Sequence, residues 1–214
     1  MSKNELTTEK MTQALGWAYE KALNGIPGDL SSESLAKSYM KRFSSTDEAI
    51  HSLIKWQTAK SSTSGFVTGL GGIVTLPVAV PVNIASVLYV QMRMIAAIAY
   101  MRGYDLKDDQ VQTFVFICLT GQAASDILKQ SGITVGTKLT VQLIKKVPGA
   151  TLTKINQKVA FRLVTKFGEK GVINLGKLVP IVGGVIGASV DGVGTKIIGN
   201  QAKKLFVEFD SPVI

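Results

Sequence analysis

The sequence predicts an all-α fold, a single compact multi-helix domain whose core is built on apolar helices broken by Gly and Pro. Two observations lead there. Apolar residues recur at helical spacing in segment after segment, and strand-like alternation is nowhere sustained. The Val- and Ile-rich piece around 73–82 has the residues of a buried strand, but its prolines argue against one.

The elements follow in order. Leu6, Met11, Leu15, Ala18 and Ala22 mark a first helix with Thr7 or Thr8 as N-cap, stopped by Gly25, Pro27 and Gly28. A second helix runs from about Ser31 to Phe43. A third opens at Thr46 with Asp47 and Glu48 in its first turn, where the helix dipole favours acids, and continues to Lys60. Residues 1–44 are expected to form a helical hairpin packed on a larger domain spanning 45–214. From Ser61 to Met92 the chain is uncharged, interrupted by Pro77 and Pro81, which suit a helix's first turn and not its interior. A long helix is expected from Val82 to about Arg102, ended by Gly103. The next runs from Gln110 to Gln130 behind Asp105 or Asp108 as cap. Further helices are placed over 134–147, over 151–170 after the Pro148-Gly149 turn, and towards Phe206 after a second Gly-rich apolar stretch, 178–190.

Charge divides the chain. Of the formal net charge of +9, none lies in residues 1–126, where 11 basic residues balance 11 acidic ones; residues 127–214 hold 13 basic and 4 acidic. Such asymmetry points to an anionic partner, a membrane face or a nucleic acid. Within it Lys154, Lys158, Arg162, Lys166 and Lys170 recur every four residues, beside an apolar row of Ile155, Val159, Leu163 and Phe167. A basic amphipathic helix of this kind reads as a membrane-surface element. Nucleic acid is disfavoured because the basic region has few aromatics, Phe161 and Phe167, both assigned to packing, and no binding module. Leu76, Pro77 and Pro81 are the expected apolar contact with the bilayer. The stretch 82–101 has the length of a span, but Arg93 near its centre costs about 3 kcal/mol in a bilayer, so burial in the protein is expected.

Other chemistry is thinly supplied. One Cys and one His exclude a disulfide framework and any multi-Cys or multi-His zinc site. Cys118 is expected in the core and His51 in a structural role. Asp105, Asp108 and Asp109 are read as helix caps, and Asp191 as a partner of Lys196 or a cap; their alternative is a lipid-directed hydrolase using these carboxylates as working acids. Gly69-Leu-Gly-Gly72 lacks the Gly-Lys-Ser/Thr ending of a phosphate loop. Gly65-x-x-x-Gly69 and Gly183-x-x-x-Gly187 allow close helix approach. No cofactor and no metal is expected. The polar, acid-containing N-terminus lacks the basic and apolar regions of a signal peptide, which predicts a cytoplasmic protein.

Four motifs then carry a resemblance. Gly72-Ile-Val-Thr-Leu-Pro-Val-Ala-Val-Pro81, Gln91-Met-Arg-Met-Ile-Ala-Ala-Ile-Ala-Tyr100, Gly103-Tyr-Asp-Leu-Lys-Asp-Asp109 with Ile117-Cys-Leu119, and Val179-Pro-Ile-Val-Gly-Gly-Val-Ile-Gly187 followed by Asp191, Thr195, Gly199 and Ala202, together resemble the EcsC family of bacterial proteins. The resemblance spans roughly 45–206. It implies a helical, non-secreted protein from a family named for a gene beside an ABC-transporter operon, and it assigns no active site. The function expected is non-enzymatic: peripheral association with the inner face of the membrane, binding an anionic lipid surface and a lipid or hydrophobic ligand. The adaptor or regulator of a membrane transporter is a further alternative.

Overall fold

Helix termini are where the sequence exerts its most local control. The computed structural model describes residues 6–61, 80–133, 144–168 and 186–207, with the side chains of 61 and 186–191 excepted. Helix α1 spans Thr8–Asn24, its N-terminus held by the Thr7 hydroxyl, which accepts from the Lys10 amide at 3.2 Å. Such a cap is worth about 1 kcal/mol. It ends at Gly25, whose φ of 79° and close approach to Asp29 O and Ser31 N (3.1 Å from where a Cβ would stand) leave room for glycine alone. Ser31 caps α2, Ser32–Met40, in the same way, and the Ser45 hydroxyl accepts the Glu48 amide at the head of α3, Thr46–Ser61. Pro81 precedes α4, Val82–Met101.

One expected element divides in two. In place of a single helix from Gln110 to Gln130 there are α5, Asp109–Cys118, and α6, Ala124–Gln130, joined by a 3-10 turn over Gly121–Ala123. Gly121 takes a φ of 61°, a left-handed conformation that breaks the helix, although the apolar periodicity runs on through it. The chain then forms α7, Gly149–Phe167, and α8, Ile186–Leu205. The last of these starts inside the expected Gly-rich stretch. Most of the expected segment 134–147 lies outside the described residues, as do residues 62–79, Pro77 among them, and the stretch 169–185.

Around α4 the others assemble: α1, α2, α3, α5 and α8 all pack against it, so that this helix, long and apolar enough to cross a membrane, is mostly buried inside the protein. Its burial extends to Arg93, 2 % exposed, which forms an ion pair with Asp29, donates to the Leu30 carbonyl at 3.0 Å and lies over the Tyr89 ring. The whole is one helical domain with one continuous apolar core, to which α1 and α2 contribute Met11, Leu15, Trp17, Leu35 and Tyr39. Asp47 at the start of α3 ties two further elements, accepting from Arg102 at 2.6 Å and Lys203 at 3.1 Å. These bonds, Lys203's foremost, hold its carboxyl below the usual aspartate range.

The tightest helix contact joins α3 to α8. A Cβ on Gly199 would stand 2.8 Å from Cγ1 and 3.0 Å from Cγ2 of Ile54, a β-branched side chain with little freedom to retreat. Overpacking of this kind costs about 1–3 kcal/mol, against about 1 kcal/mol gained from alanine's helix propensity. Gly199→Ala is therefore expected to be net destabilising by about 1 kcal/mol, lowering the thermal midpoint by roughly 2–4 °C. Adding Ile54→Ala should relieve that clash; a double-mutant cycle showing no coupling would refute the contact.

The buried tyrosines give the fold an alkaline limit. Burial pushes the Tyr89 and Tyr104 hydroxyls up to about 12, and raises Tyr19 further, with Asp105, Asp108 and Asp109 adding to it. Because the unfolded chain releases these protons near pH 10 and the folded chain holds them, stability is complete below about pH 10 and declines as pH climbs towards 12. Unfolding melts between pH 9 and 12, paired with phenolate absorbance, should show the midpoint falling in that interval. An unchanged midpoint would mean these hydroxyls titrate normally.

Candidate functional site

The basic helix sets its own geometry. Leu152, Ile155, Val159, Ala160 and Leu163 bury one side of α7, which packs chiefly on α1, α5 and α6. Phe161 follows Ile155 by six residues, about 240° round the helix, and so points away from the buried row. It is 66 % exposed. The expectation that Phe161 serves packing is overturned, and the helical wheel held the signal: the phenyl ring falls beside Lys154, not beside Val159.

The cationic stripe is shorter than its spacing suggested. Each four-residue step turns about 40° towards the buried row, so Lys166 ends half-buried at the edge of the core, 5.2 Å over the Phe167 ring. Lys170 lies outside the described residues. What remains together is Lys154, Lys158 and Arg162, and they line one wall of a groove of about 500 Å³. Gln157 and Phe161 complete that wall. The facing wall is the 3-10 turn and α6, through Ala123, Asp126, Ile127 and Gln130.

Lys158 closes the groove at one point by donating to the Gln130 carbonyl at 3.0 Å, the C-terminal end of α6, where the helix dipole favours a cation. Lys154 and Arg162 have no carboxylate partner among the described residues, and neither has Asp126. An exposed aromatic ring is thus set among unneutralised cations.

Of the expected apolar contact, Leu76 and Pro77 lie outside the described residues. Pro81 is exposed at the N-terminus of α4 beside Val82, which is also exposed; α4 is not among the main packing partners of α7.

The aspartates do something narrower than expected. Asp105 accepts the Lys107 amide at 2.9 Å, a local turn. Asp108 occupies the N-cap position of α5, but its side chain makes no capping hydrogen bond; the carboxylate instead faces Lys145 at 3.4 Å. Asp109 stands in the first turn of α5, favoured by the dipole. Asp191 has its side chain outside the described residues. Among the described residues no group of three or more His, Cys, Asp or Glu gathers in a metal-binding arrangement. His51 is exposed on α3, beside a surface hollow lined by Phe43, Asp47, Glu48 and Lys203. Cys118 is fully buried, and burial pushes its thiol well above the ordinary range, leaving it a core residue.

The fold and the groove belong to a chain whose residues 2–207 match the model of the EcsC protein family. The chain belongs to the EcsC family. The match covers nearly the full sequence and extends the resemblance N-terminally through α1 and α2, across the division expected at 44/45. No curated protein and no solved structure matches this EcsC chain. Sequence reasoning missed Gln157, a neutral residue within the patterned α7, and Asp126 and Gln130, whose segment has no distinguishing pattern; only the approach of α6 to α7 brings the latter two to the site.

Proposed function

We propose that this EcsC chain is a non-enzymatic peripheral membrane protein that binds the anionic inner face of the membrane through α7. One observation carries the reading: Phe161 stands exposed among Lys154, Lys158 and Arg162 on the outward side of α7. Cations near an anionic leaflet contribute about 1 kcal/mol each, and burying a phenyl ring in the interface adds about 2 kcal/mol. The sum, about 5 kcal/mol, corresponds to a dissociation constant of roughly 0.2 mM. Association on that scale is reversible and sensitive to local concentration, as suits a peripheral protein and not an anchored one.

The test is co-sedimentation with vesicles of phosphatidylglycerol or of phosphatidylcholine at low and high salt. Binding is expected to favour phosphatidylglycerol and to fade as the screening length shrinks from about 10 Å at 0.1 M to about 3 Å at 1 M salt. Equal binding to both lipids, or binding indifferent to salt, would sink the electrostatic reading. The hydrolase alternative has no comparable support, since Asp105, Asp108 and Asp109 are each engaged in local turns, the α5 terminus or the Lys145 pair.

A further inference from the structure

The two walls of the α6–α7 groove differ in charge. On α7, Lys154, Lys158 and Arg162 rise in steps of about 6 Å along one wall. Opposite them, Asp126 sits one turn before Gln130 on α6, exposed and without an ion-pair partner among the described residues. Below lies Ile127, 6 % exposed, and at the rim stands Phe161. A purely anionic ligand would meet the cations and be repelled by Asp126. A ligand that carries a phosphodiester and, a short arm away, an ammonium group satisfies both walls, and an attached glycerol and acyl chain would pass over the Phe161 ring.

We propose that this groove binds one phosphoethanolamine headgroup, its phosphate held by Lys154, Lys158 and Arg162 and its ammonium by Asp126. The inference rests on the membrane reading for the source of the ligand, but its chemistry is that of the groove alone. Volume agrees, since about 500 Å³ lies within the range of small-ligand sites. Gln157 and Gln130 supply neutral donors and acceptors along the two walls without altering the charge balance.

The test separates the headgroup from the bilayer. Soluble glycerophosphoethanolamine, glycerophosphoglycerol, which has the same phosphodiester charge without the ammonium, and inorganic phosphate are titrated into the full chain by calorimetry or by NMR shifts. Glycerophosphoethanolamine is expected to bind saturably and about fivefold more tightly than glycerophosphoglycerol, the ratio a single exposed ion pair supplies. Asp126→Asn should abolish that preference, whereas Lys154→Gln with Arg162→Gln should weaken both ligands together. Absence of saturable glycerophosphoethanolamine binding, tighter binding of glycerophosphoglycerol by the unmodified chain, or a preference untouched by Asp126→Asn would overturn the proposal. Failure of the membrane reading is seen elsewhere, as unmodified chain that does not sediment with phosphatidylglycerol vesicles while still binding the soluble headgroup.

Discussion

Replacing Asp29 by Ala is expected to destabilise the fold by about 3 kcal/mol and to lower its thermal midpoint by roughly 6–12 °C. The size of the effect comes from what is left behind. Arg93 lies at 2 % exposure within α4, and its Nε already finds no hydrogen-bond partner among the described residues. Without Asp29 the guanidinium keeps the Leu30 carbonyl and the face of Tyr89, neither of which balances a full charge away from water. The asymmetry supplies the check. Arg93→Met combined with Asp29→Ala removes both charges and should melt above Asp29→Ala alone, with a coupling of about 1–3 kcal/mol in the cycle. A double variant that melts no higher than Asp29→Ala would show that the loss is one of packing.

Neutralising Lys154, Lys158 and Arg162 together to Gln is expected to weaken binding to phosphatidylglycerol vesicles about 100-fold, three cations at about 1 kcal/mol each. Lys166→Gln should cost much less, because its ammonium is set against Phe167 at the core margin and not in the groove. The comparison that matters removes an equal charge elsewhere. Lys41, Lys55 and Lys204 are exposed at the end of α2, on α3 and on α8, away from α7. If their replacement by Gln weakens binding as much as the groove variant does, net charge and not the α7 surface is responsible. Vesicle sedimentation at fixed salt, with a melting curve for each variant, distinguishes the two.

Local chemistry wrote the helix boundaries plainly. Thr7, Ser31 and Gly25 act through their own backbone neighbours, so their roles survive in the sequence unaltered. The all-α class followed from the same short-range evidence. Where the reading stopped short, the cause was periodicity taken without its phase. Apolar spacing across 110–130 concealed the break at Gly121, because both pieces bury the same kinds of residue. The row of lysines was legible, but its drift about the helix decides which of them share a surface, and that requires knowing which side of α7 is buried. Asp126 could not be found this way at all. It shares a groove with Lys158 and Arg162 only because α6 folds back beside α7, as the bond between Lys158 and Gln130, 28 residues apart, records.

The placement of α7 also fixes a posture. A helix of 19 residues is about 28 Å long. Lying flat against a surface, it would set the molecule down on its side, with α1 and α5 stacked directly behind it. Since those two helices also pack against α4, the one span-like helix among the described residues stands a further helix layer away, with packed helices spaced about 8–10 Å between axes. The protein would therefore touch lipid with its basic helix and shield the apolar α4, so that residence at the surface demands no unfolding of the core.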